Sequence, residues 1–182
     1  MNPTQNPSAL RSKKLITETL LNLLKIYPFN EIAVKQILID AQISRKTFYR
    51  NFSSKEDVLS SYIDSILSDY KDTILSLDKA SFVDCFDVIF NFCESNRDLL
   101  ILLKNNKLLH IPMMKLNELL PSLHKEIDIK NYIIYFNIGA IWNVIMHWVE
   151  NDMRDSSQSI KQILVDYLNH IHVDMMEYFK LK

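Results

Sequence analysis

One glycine, Gly139, serves the whole 182-residue chain. Phosphate-cradling loops, dinucleotide-binding turns and two-residue hairpins all use glycine for positive φ or close backbone approach. None of these devices can be assembled from a single glycine. Apolar residues make up 48% of the chain, enough for a real core, and they recur at helical spacing over long stretches with few breakers. The expectation is an all-α protein of about nine helices.

Charge is unevenly spread. Residues 1–57 carry nine Lys and Arg against five Asp and Glu, about +4, so about −5 lies behind them in a chain of net charge −1. A basic head on an acidic body suits a polyanion-binding head. Met1–Pro7 is polar, so no secretory leader is expected, and no apolar run reaches the roughly 20 residues of a membrane span. Cys85 and Cys93 stand eight apart on one expected helix, about 12 Å of rise, too far to pair with each other. Free thiols and no leader point to the cytoplasm.

Residues 8–27 read as a first helix, with Ile16, Leu20, Leu23, Leu24 and Tyr27 on one face and Pro28 as its stop,. Val34, Ile37, Leu38 and Ala41 give a short second helix,. Gln42 and Ile43 make a brief turn, and Ser44 is a good N-cap for a third short helix, Arg45 to Phe52,. A capping box, Ser53 with Glu56 or Ser54 with Asp57, opens a long fourth helix to about residue 76,. Further helices are expected at about 79–95, 97–105, 107–124, 128–151 and 156–180, with Pro112 and Pro121 kinking or interrupting the 107–124 stretch,. Two short helices split by a few residues, the second capped and basic, form a helix-turn-helix, whose second helix normally enters the major groove.

Within Ile32–Asp57, the residues Ala41, Ile43-Ser44, Thr47-Phe48-Tyr49, Phe52 and Ser54-Lys55-Glu56 fall in an order and spacing that resembles the DNA-binding segment of TetR-family regulators. The likeness covers about the first third of the chain; behind it only helix number and length resemble the family. It implies a three-helix DNA-binding domain at 1–57 and a helical ligand-binding and dimerisation domain at 58–182. Gln42 stands where the family usually has glycine, so a left-handed turn there costs roughly 1–2 kcal/mol.

Phe48 and Phe52, four apart, share a buried face with Val34, Ile37 and Ile43 expected against them. Ser44, Arg45, Lys46, Thr47, Tyr49 and Arg50 fall mostly elsewhere on the third helix. Arg and Lys can reach guanine O6 and N7, and a Thr methyl can touch a thymine methyl. The resemblance implies phosphate or base contacts for Thr47 and Tyr49. Lys35 is expected to anchor a phosphate. Lys55, in the first turn of its helix, opposes the macrodipole, a mismatch that a DNA phosphate would explain.

The resemblance also implies that the last two long helices pair with their symmetry mates in a homodimer. Tyr132, Tyr135, Phe136, Gly139 and Asn143 on one, and Ile163, Tyr167, Ile171 and Met175 on the other, are the expected seam, with Gly139 marking a close approach. It further implies a pocket for a small apolar or amphipathic effector. Phe86, Phe90, Cys93, Leu103, Met113, Met114, Trp142 and Met146 are candidate lining residues, and each is also an ordinary core residue.

The five histidines, His110, His124, His147, His170 and His172, lack the i, i+3 or i, i+4 spacing of helical metal ligands. No nucleophile–base arrangement is visible. Neither metal, cofactor nor catalysis is expected. The leading expectation is a homodimeric repressor on a palindromic duplex operator, released by a small molecule. The alternatives are an effector-independent or architectural DNA-binding dimer, an activator of the same fold, and a helical enzyme or interaction module with an incidental basic head.

Overall fold

The structure, a computed structural model, describes residues 7–76, 82–119 and 130–180. Among these, every regular element is helical: α1 (Pro7–Leu24), a 3-10 turn (Phe29–Glu31), α2 (Val34–Asp40), α3 (Arg45–Asn51), α4 (Lys55–Ser76), α5 (Phe82–Ser95), α6 (Arg97–Asn105), α7 (His110–Leu119), α8 (Lys130–Glu150) and α9 (Ser157–Lys180). The all-α expectation holds. No described helix is long and apolar enough to cross a membrane. The chain forms two compact units, Met1–Asp69 with Leu102–Ile129, and Tyr70–Ile101 with Lys130–Lys182.

In the first unit, α1 opens on Pro7, whose missing N–H is no loss at a helix start. It buries Ile16, Leu20, Leu23 and Leu24 on one stripe and packs on α2 and α3. Tyr27, expected on that stripe, lies beyond the helix and is exposed. The last turn tightens through Lys25 N–H to Asn22 O and Ile26 N–H to Leu23 O, because the residue before Pro28 is barred from the helical region.

Three helix ends explain how the fold manages with one glycine. Ile43 N–H bonds to Leu38 O at 3.1 Å and Gln42 N–H to Ile39 O at 3.1 Å, with Gln42 at φ 51°. This is a Schellman C-cap, the place where helices ordinarily put glycine. The same pattern closes α6, with Leu108 N–H on Leu103 O at 2.8 Å and Lys107 at φ 59°. It closes α8 too, with Met153 N–H on Trp148 O at 2.8 Å, Asp152 at φ 60° and Met153 at φ 50°. The cap at Lys107 also corrects the expected 107–124 helix. That segment first turns, and α7 begins at His110, so Pro112 sits in its first turn, where proline is tolerated,. Pro121 lies outside the described residues.

In the second unit, α5 packs on α9, and Lys161 bonds Asp87 across them. Phe90, fully buried, meets the Trp148 ring at 5.5 Å between centroids. The left-handed pair after α8 is pinned by Arg97, whose guanidinium donates to Met153 O at 2.9 Å and Asp152 O at 2.5 Å. Trp148 Nε1 donates to Asp155 O at 2.9 Å.

Candidate nucleic-acid interface

The third helix is short, so its ends matter. Ser44 lies at φ −75°, ψ 152°, the extended geometry of an N-cap. Its Oγ accepts from Thr47 N–H at 3.1 Å and lies 2.9 Å from Thr47 Oγ1. Asn51 Nδ2 returns to Thr47 O at 2.7 Å near the other end. Arg50 in the last turn complements the helix dipole.

One face of α3 is core. Phe48 is fully buried and Phe52 nearly so, with ring centroids 6.2 Å apart. Ile37 is buried with them, whereas Val34 and Ile43 are half-buried. The remaining face points outward: Ser44, Arg45, Lys46, Tyr49 and Arg50 are exposed and Thr47 is half-buried. Tyr49 stands edge-on to Phe48 at 5.3 Å, and the Arg45 guanidinium lies 5.5 Å from the Tyr49 ring centroid. The core ring therefore steadies Tyr49, and Tyr49 steadies Arg45. Lys35 is exposed in the first turn of α2.

Of the two capping boxes left open by the sequence, the structure uses Ser54 with Asp57, but the return bond from the carboxylate falls on Ser53 instead of Ser54. Ser54 Oγ accepts from Asp57 N–H at 3.1 Å. The Asp57 carboxylate accepts from Ser53 N–H at 2.7 Å and Ser53 Oγ at 3.0 Å. The Ser53 N–H bond is the main reason its carboxyl is held below the usual range, despite opposing partial burial; the Ser53 and Ser61 hydroxyls and Lys13 help. Two amides at this helix start are thus already paired.

Lys55 is the residue whose surroundings the sequence missed. Its Nζ donates to Phe29 O at 2.6 Å and Ile32 O at 2.7 Å and lies 4.5 Å from the Phe29 ring centroid. Asn106 holds the same turn from the other side. Its Oδ1 accepts from Phe29 N–H at 3.1 Å, and its Nδ2 donates to Leu24 O at 3.2 Å and Leu102 O at 2.9 Å. The signal for Lys55 was its unfavourable place in a helix's first turn; for Asn106 there was none.

Behind the head, the expected lining residues divide between the two units. Phe86, Phe90 and Cys93 are buried and Trp142 and Met146 half-buried in the second. In the first, Leu103 is buried, Met113 half-buried and Met114 exposed. On α8, Tyr132 and Phe136 are 78% and 75% exposed, and on α9 Ile163 and Tyr167 are 67% and 61% exposed. Tyr135 and Asn143 are exposed as well, and Asn143 Nδ2 donates to Gly139 O at 2.8 Å. A Cβ at Gly139 would meet no described atom within 4 Å, so among the described residues no close approach within the protomer demands this glycine. The side chains of Ile171 and Met175 lie outside the described residues.

A protein-family model described as the C-terminal region of transcriptional regulators of the TetR type matches residues 80–170, half of the chain. The chain belongs to the TetR family of transcriptional regulators. The match lies behind the head, so it is independent of the motif read at Ile32–Asp57. Among solved structures, the dihydroxyacetone kinase operon activator DhaS shares the fold: TM-score 0.51, 18% identity, covering 89% of this chain and 97% of that one. No curated protein matches the chain. Membership of this family makes the TetR-type chain a regulator rather than an enzyme.

Proposed function

We propose that the protein binds a palindromic duplex operator as a homodimer, through the outward face of α3, and that its output is transcriptional activation. The observation that carries the DNA-binding reading is the division of α3. Phe48 and Phe52 anchor it in the core, while Arg45, Lys46, Tyr49 and Arg50 stand exposed side by side. Desolvating such a row in a protein core is costly, whereas a major groove offers it acceptors and phosphates. Ser44, Thr47 and Lys35 complete the proposed contact set.

The reader is assigned to residues 1–57 and dimerisation to 58–182. The exposed aromatic and aliphatic side chains of α8 and α9 are the proposed seam, because a protomer alone leaves them in water,. A two-fold dimer reads paired half-sites, and its place of work is where the duplex is, the cytoplasm. The activator reading is favoured over the effector-released repressor because a solved protein that shares the fold, DhaS, is an operon activator. For an apolar or amphipathic effector, the buried set Phe86, Phe90 and Cys93 with Trp142 and Met146 is the proposed contact region.

Selection of bound duplexes from random DNA tests the reading. Enrichment of an inverted repeat is expected. The selected site, placed upstream of a weak promoter, is expected to raise reporter output when the protein is supplied. Lowered output would replace activation by repression, and failure to enrich any duplex would sink the DNA-binding assignment.

A further inference from the structure

Lys55 was expected to neutralise a phosphate, yet its ammonium is already committed. It donates to two main-chain carbonyls, Phe29 O at 2.6 Å and Ile32 O at 2.7 Å, and sits against the Phe29 ring. Two of its three donors are used inside the protein. The carbonyls belong to the connection between α1 and α2, while Lys55 opens α4. The helix-turn-helix leaves that connection directly, since α2 starts two residues after Ile32.

The same peptide is gripped a second time. Asn106, just past the end of α6, accepts from Phe29 N–H at 3.1 Å and donates to Leu24 O at 3.2 Å, the last residue of α1. Phe29 thus has its N–H held by Asn106 and its carbonyl by Lys55. The starts of α2 and α4 and the ends of α1 and α6 all meet at this one turn.

We propose that Lys55 and Asn106 are positioning residues for DNA binding: they fix the Phe29–Ile32 turn and thereby the seat of α2 and α3, and Lys55 contributes by this route rather than as a phosphate contact. The proposal rests on the DNA-binding reading above. A charge placed against carbonyl oxygens at the first turn of α4 answers the mismatch with the helix dipole from within the protein. A loosened turn lets the recognition helix sample orientations that fit the groove less well, and the bound fraction of orientations falls.

The experiment compares the intact protein with Lys55→Met and Asn106→Leu on a selected operator, measuring affinity across a salt series well below each variant's melting temperature. Lys55→Met keeps the stem and removes only the ammonium. The expected result is about tenfold weaker binding for both variants, with the slope of log affinity against log salt unchanged. Asn106→Leu removes no charge, so parallel behaviour of the two is the signature of positioning. A slope shallower by about 0.9 per protomer for Lys55→Met alone identifies a released phosphate contact and overturns the proposal. Unchanged affinity with a lowered melting temperature identifies a purely structural role and overturns it too. If the unmodified protein binds no duplex, the DNA-binding reading itself has failed; if it binds and either of the other results appears, only this proposal has.

Discussion

The backbone N–H of Ile43 reaches across the end of α2 to the carbonyl of Leu38 at 3.1 Å. That bond forces Gln42 into the left-handed region at φ 51°. The cost of holding a side chain there, roughly 1–2 kcal/mol, vanishes with glycine, offset in part by glycine's extra unfolded-state freedom. Gln42→Gly is therefore expected to raise stability by about 1 kcal/mol, read as a higher denaturant midpoint. Lys107→Gly, at φ 59°, is expected to do the same. The two caps close different helices through different carbonyls, so the gains are expected to add.

The Asp57 carboxylate closes the start of α4, and its pKa is lowered chiefly by the bond from Ser53 N–H. A depressed folded-state pKa means stabilisation that is present above the ordinary value of 3.8 and lost as pH falls through the folded value. Asp57→Ala is expected to lower stability by about 1 kcal/mol at pH 7. The gap between variant and parent is expected to close in acid. A gap that stays constant from pH 7 to pH 2 in urea titrations contradicts this role.

Cys93 is buried, and that burial, with a smaller push from Glu94, raises its thiol to about 12. Only about one thiol in ten thousand is then ionised at pH 8. In a Cys85→Ser background, the folded protein is expected to ignore a disulfide reagent at pH 8 and to react once guanidinium unfolds it. Rapid reaction in native buffer contradicts the burial.

Asn143 and Gly139, bonded through the Gly139 carbonyl at 2.8 Å, lie in the stripe of α8 that leaves Tyr132 and Phe136 exposed. With no described atom within 4 Å of the place a Cβ would take at Gly139, the first carbon of a side chain there meets no described neighbour in the protomer. Gly139→Leu is expected to keep helicity, or raise it slightly, while loosening the dimer in sedimentation. A variant that remains a tight dimer moves the seam elsewhere.

The sequence made visible what depends on local spacing. Phe48 and Phe52, four apart, had to share a face, and Ser44 before a basic run had to cap it. The helices were legible for the same reason, with Arg97–Asn105 at its expected bounds. What stayed hidden depends on partners far along the chain. Lys55 meets carbonyls 26 and 23 residues away, and Asn106 reaches 77 and 82 residues back. Arg97 finds the end of α8 at separations of 56 and 55. No periodicity encodes such pairings. The start of α7 was misplaced because Lys107 does not announce a left-handed cap as glycine does.

The most direct test measures binding of the selected duplex by the intact protein, by Arg45→Ala and by Tyr49→Ala, with helicity and sedimentation recorded on the same samples. Binding by the parent is expected to weaken steeply as salt rises, from recapture of displaced counterions. Each variant is expected to bind at least about tenfold more weakly with helix content and oligomeric state unchanged. Parent-like affinity in both variants would contradict the claim that the outward face of α3 reads the operator.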